Sequence, residues 1–458
     1  MLENVYHLIL TVTRDCNLHC QYCFEQDKQR YRQEKMTLEC FQKFLDLLCY
    51  ERRKNPGTGP ALEICFHGGE PLLAGRARLQ QFIDEAHRQL GKDRVFFSLQ
   101  TNGTLLDKDW TDWAEKNNCH ISISLDGYNY RANRLRFTRQ EFARKNPLRR
   151  GVKISGVLAL LTRNNLSSLI PFLLYLFHRH RLDCTRVNAA ELVNAPGPCQ
   201  EELTGTLLTK KFYIPLLRCM AFWPWFSEYH IRTALQDFAA GYLYTRDEKY
   251  PNSGCVLCGA KFCGAGNGII NLLPDGDLWA CQRSLGLESY RLGSVYDPPD
   301  YFGLASFGKL FGLAYQMAQS IRAKRCDTCF AADICDHGCR AFALLKTQGA
   351  AAIRPEIACE TYKSLKKYLG KDPYNHLVLF AFLHKFPVRK ERSLIQIEIP
   401  RRLDTINGHH EIGWIRDPQI QIFNKDNKIW ITFAKKRVSP PLLFWLTAAG
   451  WRRRSKRP

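Results

Sequence analysis

The chain has 458 residues, of which 45% are hydrophobic, 12% aromatic and 24% charged. This composition excludes a disordered protein and predicts a globular one with two or three domains. No apolar run reaches the roughly 18 residues that span a bilayer, and the N-terminus has no basic leader, so we expect a cytoplasmic protein without a membrane partner. The formal net charge of +22 is compatible with nucleic acid, acidic lipid or acidic peptide partners and selects none of them.

The first half of the sequence alternates between strand patterns and helix patterns. Strands are predicted at residues 6–12, 62–66, 95–99, 120–125, 152–161 and 185–189. Helices are predicted between them at 37–54, 76–90, 107–117 and 165–180, with Thr37 as the N-cap of the first. Such alternation indicates a parallel sheet with right-handed crossovers, as in a barrel or an open α/β fold.

Each unusual motif directly follows one of these strands. A loop with three cysteines follows the first strand, HGGEP the second, QTNGT the third and LDG the fourth. The carboxyl ends of parallel strands carry the binding and catalytic groups of α/β proteins. We therefore expect one functional site at this edge of the sheet.

The second half has a different character. Residues 201–244 have a helical pattern, cysteines concentrate between 255 and 359, and strand patterns at 393–399, 419–423 and 428–433 predict a small β-rich extension. We place domains at 1–200, 201–250 (a helical bridge), 251–365 and 366–458.

The nineteen cysteines are too many for an ordinary cytosolic chain, and their clusters with short gaps indicate bound metal. Cys16, Cys20 and Cys23 supply three thiolates within eight residues. A [4Fe–4S] cluster held by three thiolates has one iron open to a further ligand. Zinc is the alternative, with His19 as a fourth ligand.

The loop CNLHCQYC, with Tyr22 as its aromatic residue, resembles the CxxxCxΦC motif of the radical SAM superfamily. The resemblance implies a partial (β/α)6 TIM barrel whose [4Fe–4S] cluster binds S-adenosylmethionine (SAM) and cleaves it to methionine and a 5′-deoxyadenosyl radical. GGEP, TNG and LDG are also similar to family motifs. They imply that Glu70 accepts a hydrogen bond from the methionine ammonium, and that Arg134 or Arg136 reaches its carboxylate. The residues that the resemblance places around SAM are Tyr22, Gly68, Gly69, Glu70, Asn102, Ser124, Arg134 and Arg136.

The later cysteines resemble the seven-cysteine SPASM domain, which binds two auxiliary [4Fe–4S] clusters. A turn at 274–277 predicts a hairpin between 269–272 and 278–280 that brings Cys263 and Cys281 together. Cys255 is an alternative to Cys258 as a ligand, and two structural zinc sites are the alternative to iron. The implied ligands are Cys258, Cys263, Cys281 and Cys339 for one cluster and Cys326, Cys329, Cys335 and Cys359 for the other.

Enzymes with SPASM domains, by resemblance, either oxidise a Cys or Ser of sulfatases to formylglycine or modify ribosomally made peptides. Sulfatase-maturing enzymes carry an acidic base immediately after the cysteine that closes a G-x4-C unit, which corresponds to Gly276-x4-Cys281 in this sequence. Here that residue is Gln282, an amide that cannot act as a base, although Asp277 and Glu288 lie nearby. We therefore expect a peptide maturase, with sulfatase maturation as the alternative.

The expected partners are a peptide or protein substrate, which includes an acidic leader peptide suited to the basic chain, and an electron donor such as a flavodoxin or ferredoxin. A basic, zinc-dependent nucleic-acid binder is the non-enzymatic alternative. Because iron–sulfur loading is the consistent interpretation of all the cysteine motifs, we do not expect nucleic acid.

Overall fold

The computed structural model describes residues 2–23, 34–54, 59–149, 151–180, 182, 184–189, 203–216, 230–232, 264–266, 268–299, 329, 357–369, 388–391, 394–400, 420–425 and 428–434. The chain divides into two units. The first consists of Met1–Asn165, Cys184–Thr204 and Ile231–Glu360, and the second of Leu166–Asp183, Gly205–His230 and Thr361–Pro458.

Six consecutive parallel strands form the middle of a large sheet, which confirms the predicted α/β fold. Each strand pairs with the next one along the chain. β5 begins four residues later than the sequence pattern predicts. The closure of these strands into a partial barrel stays a prediction. The strands are β1 (His7–Thr13), β2 (Leu62–Gly68), β3 (Val95–Thr101), β4 (Cys119–Ser124), β5 (Gly156–Leu161) and β6 (Cys184–Ala189).

The predicted hairpin is confirmed, and it joins the same sheet. β8 (Ile269–Leu272) pairs in parallel with β1, and β9 (Asp277–Trp279) and β10 (Arg291–Ser294) continue outward as antiparallel strands. The order across the sheet is β10-β9-β8-β1-β2-β3-β4-β5-β6-β7, where β7 is His230–Arg232. The hairpin therefore lies beside the strand that leads into the cysteine loop.

The helices between the strands agree with the sequence pattern, and side chains cap two of them: Thr37, as predicted, and Asp107, which was not predicted. The Cys40 amide donates to Thr37 Oγ1 at 3.1 Å, and the Trp110 amide donates to Asp107 Oδ1 at 2.9 Å. No helix in the described ranges is long and apolar enough to cross a membrane. The helices are α1 (Leu38–Lys54), α2 (Arg76–Leu90), α3 (Lys108–Lys116), α4 (Tyr130–Asn133), α5 (Arg139–Lys145), α6 (Leu169–His180), α7 (Gly205–Leu208) and α8 (Ile357–Leu369).

The helical pattern over 201–244 is only partly correct. α7 and the π-helical turn that follows it, Thr209–Tyr213, are helical, whereas β7 lies inside the same range. β7 is three residues long, and a strand this short carries too little alternation to be recognised in a sequence.

The two faces of the parallel strands differ in chemistry. One face is apolar and buried, and its rings pack closely, as in the stacked pair Phe66–Phe97 with centroids 5.9 Å apart. The other face is half-exposed along β2, β3 and β4. We call it the polar face; it comprises Glu63, Cys65, His67, Ser98, Gln100, Ser122 and Ser124.

The second unit contains a four-stranded antiparallel sheet, in the part of the chain where the sequence predicts a β-rich extension. Three strands match the predicted runs, and β11 was not predicted. The order is β11-β12-β14-β13, where the strands are β11 (Val388–Glu391), β12 (Leu394–Pro400), β13 (Ile420–Lys425) and β14 (Lys428–Ala434).

Candidate functional site

The cysteine loop and the GGEP motif are joined backbone to backbone at the end of β1 and β2. The Gly69 amide donates to the Thr13 carbonyl at 2.9 Å, and the Glu70 amide donates to the Asp15 carbonyl at 2.7 Å. A Cβ atom on Gly69 would lie 2.3 Å from the Asp15 carbonyl oxygen, and one on Gly68, where φ is +134°, would lie 2.1 Å from that of Thr13. The glycines therefore allow close approach to the backbone that enters the cysteine loop.

Glu70 is fully buried, and its carboxylate is saturated with donors from two loops. Oε1 accepts from the Thr101 hydroxyl at 2.6 Å and the Leu72 amide at 3.1 Å, and Oε2 accepts from the Asn102 amide at 2.8 Å. Burial raises the pKa of Glu70 to about 7, and the Thr101 hydroxyl and the two amides oppose that rise. Glu70 thus joins the TNG loop to the GGEP loop, and its expected contact with a methionine ammonium stays a prediction.

A cluster of amides and hydroxyls connects the TNG loop to the cysteine loop. Asn102 Nδ2 donates to Asn17 Oδ1 at 2.9 Å and lies 3.9 Å from the Cys16 sulfur. Thr104 completes the cluster, because its hydroxyl donates to Asn102 Oδ1 at 2.7 Å and accepts from Asn17 Nδ2 at 2.8 Å. Asn102 therefore holds the loop at its first cysteine.

The LDG loop is connected to the last part of the cysteine loop through a buried ion pair. Asp126 lies at the end of β4, and its carboxylate accepts from Arg136 at 3.3 and 3.4 Å, from the Leu160 amide at 3.0 Å and from the Tyr22 hydroxyl. The Arg136 guanidinium lies 5.3 Å from the centre of the Tyr22 ring. Burial raises the pKa of Tyr22. Burial alone would lower the pKa of Arg136, but the Asp126 carboxylate outweighs it and raises that pKa.

The remaining SAM-binding candidates occupy separate positions. Arg136 is paired with Asp126, whereas Arg134 is exposed and donates to Asn164. Ser124 lies on the polar face, where its hydroxyl accepts from Gln100 at 2.8 Å. The structure therefore brings Tyr22, Glu70, Asn102 and Arg136 into the network around the cysteine loop, and it does not bring Arg134 there.

Cys16, Cys20 and Cys23 are half-buried cysteines on one short loop. Within the described residues, no three His, Cys, Asp or Glu side chains are grouped so that they could hold a metal ion. A cubane cluster binds each thiolate at a different iron atom, so its ligands do not have to meet at a single point. In number, donor type and exposure, the three thiols fit such a cluster.

The second cysteine set is described at three positions only. Cys281 directly follows β9, Cys329 is half-buried, and Cys359 lies in the first turn of α8. The Gly266 amide donates to the carbonyl of Ala280, the residue before Cys281, at 2.9 Å. The other proposed ligands lie outside the described residues: Cys255, Cys258, Cys263, Cys326, Cys335 and Cys339.

The position after Cys281 carries a contact that the sequence analysis missed. Gln282 is buried, and its Nε2 lies 2.7 Å from Nδ1 of His67 at the end of β2. The nearby Asp277 is held by Arg291 through two hydrogen bonds of 2.7 Å, and Glu288 is exposed. A signal for His67 exists in the sequence, because strand alternation places it two residues after Cys65, on the same face, immediately before the GGEP motif.

The family model of the radical SAM superfamily matches residues 10–150. This part of the chain is similar to the radical SAM superfamily. The matched range begins in β1 and includes the cysteine loop and the GGEP, TNG and LDG motifs.

The chain is also similar to curated proteins over part of its length. It is 32% identical over 131 residues to a cysteine-type anaerobic sulfatase-maturating enzyme of Clostridium novyi, a match that covers 28% of this chain and 33% of that protein. The chain thus matches about a third of the length of this relative.

Two solved structures share the fold over most of the chain. Native anSMEcpe with bound AdoMet has a TM-score of 0.60 at 20% identity, and the match covers 82% of this chain and 99% of that one. Streptococcus suis SuiB bound to the precursor peptide SuiA has a TM-score of 0.53 at 16% identity, with 78% and 76% covered. The resemblance in fold therefore extends beyond the radical SAM domain.

Proposed function

We propose that this chain is a radical SAM enzyme that modifies a ribosomally made peptide. The observation that carries the proposal is the convergence of the GGEP, TNG and LDG loops on one cysteine loop at the carboxyl edge of the sheet. In this proposal Cys16, Cys20 and Cys23 hold a [4Fe–4S] cluster that, with SAM bound, supplies a 5′-deoxyadenosyl radical. Two contacts hold the cysteine loop: Asn102 bonds to Asn17 near its start, and Tyr22 near its end bonds to Asp126.

The choice of a peptide maturase over a sulfatase-maturing enzyme rests on the side chains near Cys281. Gln282 occupies the position where the sulfatase-maturing type needs a carboxylate base, and an amide cannot accept the proton of a thiol or hydroxyl. Asp277, the nearest alternative, is neutralised by Arg291. The similar fold of SuiB, which was solved with its precursor peptide SuiA, supports a peptide as the substrate.

The proposal extends to two auxiliary [4Fe–4S] clusters in a SPASM domain. Their ligands would be the two sets of four cysteines expected from the sequence, in which Cys281 follows the hairpin and Cys359 lies in the first turn of α8. With three cubane clusters, anaerobically reconstituted protein is expected to be brown and to bind about twelve iron atoms. A colourless protein that binds zinc would contradict the proposal.

The decisive experiment separates SAM cleavage from peptide modification. Replacing Cys16, Cys20 and Cys23 together by Ala is expected to abolish 5′-deoxyadenosine formation, while Cys49→Ala, a half-buried thiol on α1, is the control that keeps it. Cys329→Ala is expected to keep uncoupled SAM cleavage and lose the modified peptide. Equal loss of both activities in Cys329→Ala would show that the second cysteine set serves folding alone.

We propose an acidic leader peptide and a flavodoxin or ferredoxin as partners of the basic chain. Binding of a small acidic precursor encoded next to this protein is expected to weaken as salt rises, because ions screen exposed charges beyond about 10 Å at 0.1 M. Binding that is independent of salt would exclude an electrostatic leader site. Formylglycine formation on a sulfatase peptide would favour the alternative function.

A further inference from the structure

The polar face ends, beside the GGEP loop, in a group of uncharged hydrogen-bonding side chains. Thr11 of β1 is paired with His67 of β2, and Gln100 follows beside His67 on β3, because Phe66 and Leu99 are paired before them. Gln100 Nε2 donates to Ser124 Oγ at 2.8 Å. This end of the polar face therefore offers amide, hydroxyl and imidazole groups on three neighbouring strands.

Two contacts fix the orientation of the His67 ring. The Gly68 amide donates to His67 Nδ1 at 2.7 Å, and Gln282 Nε2 lies 2.7 Å from the same atom. A backbone N–H can only donate, so Nδ1 must be the unprotonated, accepting nitrogen. The Gln282 amide consequently donates through Nε2, which also fixes the orientation of that amide.

These contacts determine which hydrogen His67 presents. The ring proton of the neutral imidazole must be on Nε2, because Nδ1 accepts from Gly68 and Gln282. Burial lowers the pKa of His67 to about 4, and the charge of His7 lowers it further, while the Gly68 contact opposes these effects. The ring is therefore neutral near pH 7 and carries a fixed N–H donor.

We propose that His67 is a substrate-binding residue that donates this Nε2 hydrogen to a carbonyl oxygen of the peptide, and that Gln282 is the residue that positions it. This assignment rests on the proposed function, since it names the group of the peptide that the site binds. An uncharged donor among Thr11, Gln100 and Ser124 matches a peptide backbone, whereas a carboxylate or phosphate would find no charged partner in this group.

The same geometry makes Gln282 a positioning residue for the ring. A carboxylate at 282 can only accept, so Gln282→Glu would place an acceptor against the unprotonated Nδ1 and remove one of its two donors. The Gly68 amide still donates to Nδ1 and keeps the ring proton on Nε2. Gln282 therefore holds the ring in place, while the Gly68 amide sets its tautomer.

The first test measures the tautomer in the full-length protein with ring-15N-labelled histidine at pH 7.5, with His67→Gln to identify the signal. Wild type is expected to show an unprotonated Nδ1 and a protonated Nε2 at His67, and Gln282→Glu to keep this tautomer with a shifted Nδ1 resonance, because that atom loses the Gln282 donor. A wild-type ring protonated on Nδ1, or an Nδ1 resonance that is the same in Gln282→Glu, would overturn the assignment.

The second test measures binding of the acidic precursor peptide, with 5′-deoxyadenosine formation followed in the wild type. His67→Leu is expected to weaken peptide binding about tenfold, the effect of one lost hydrogen bond. His67→Gln, which keeps an N–H donor, is expected to recover part of the binding. Equal peptide binding by wild type and His67→Leu, or no recovery in His67→Gln, would overturn the inference.

Failure of the proposed function gives a different result. In that case the wild-type protein would cleave SAM and bind no peptide, whatever the tautomer of His67. A wild type that binds peptide while His67→Leu binds it equally well would contradict the role of His67 alone.

Discussion

The buried pair of Asp126 and Arg136 allows a quantitative prediction, because both side chains are at least nine-tenths buried. In Asp126→Asn, the amide oxygen can still accept from Arg136 or the Leu160 amide, and its NH2 group can donate to the Tyr22 hydroxyl. What is lost is the negative charge that compensates the guanidinium. Removing one partner of a buried ion pair costs about 3–5 kcal/mol, so we expect a decrease of this size in the free energy of unfolding.

The chain contains a matched control for this perturbation. Lys153 and Glu115 form an ion pair of 2.8 Å whose side chains are 74% and 65% exposed. Glu115→Gln removes the same charge from water-exposed surroundings and is expected to cost about 0–1 kcal/mol. The measurement is urea unfolding of the full chain under anaerobic conditions at pH 7.5, followed by far-UV circular dichroism.

A double substitution tests the cause. Asp126→Leu combined with Arg136→Met removes both charges and is expected to cost less than Asp126→Asn alone, since no uncompensated charge remains. If Asp126→Asn costs no more than Glu115→Gln, or if the double variant is the least stable of the three, the buried pair does not stabilise this end of the sheet as described.

Three further outcomes are expected. Gly69→Ala should lose more thermal stability and more bound iron than Gly75→Ala, as measured by thermal unfolding and iron analysis. The new Cβ at 69 would lie 2.3 Å from the Asp15 carbonyl oxygen, whereas a Cβ at 75 meets nothing within 4 Å and is opposed only by the positive φ of that residue. Asn17→Ala should lower the iron content after reconstitution, because Asn17 bonds to the TNG loop, whereas the control Asn164→Ala should leave it unchanged. Equal iron content in the two variants would contradict the role of Asn17 in holding the cysteine loop. The hydrogen bond from His7 lowers the pKa of Glu63 to about 2. The stabilising contribution of the Glu63 carboxylate is therefore present above pH 4.5 and lost as the pH falls towards 2. Since the side chain is 45% exposed, we expect Glu63→Gln to remove about 1 kcal/mol of acid-dependent stability, and an unchanged dependence of the unfolding free energy on pH would refute this.

The parallel strands and the position of the motifs were predictable from the sequence, because both depend on local patterns. Strand alternation identifies β2 and β3, and the motif residues directly follow them. The cysteine spacing likewise indicated a cluster loop with an aromatic residue at Tyr22. Such features are set by residues close together in the chain.

The side-chain partners were not predictable, because they join segments far apart in sequence. His67 meets Gln282 across 215 residues, and the two are adjacent only because β8 pairs with β1. The role of Glu70 also depends on Thr101 and Asn102, which approach it only in the folded sheet. The sequence therefore indicated which residues matter and gave no indication of what several of them contact.

The pairing of β8 with β1 places strands from the two cysteine-bearing halves of the chain in one sheet. A fragment that stopped near residue 250 would leave β1 as an outer strand, with its backbone N–H and C=O groups open to a neighbouring molecule. Such an exposed strand edge promotes self-association, and here it would be the edge of the strand that leads into the loop of Cys16, Cys20 and Cys23. The downstream hairpin thus covers the edge of the strand on which the proposed radical chemistry would depend.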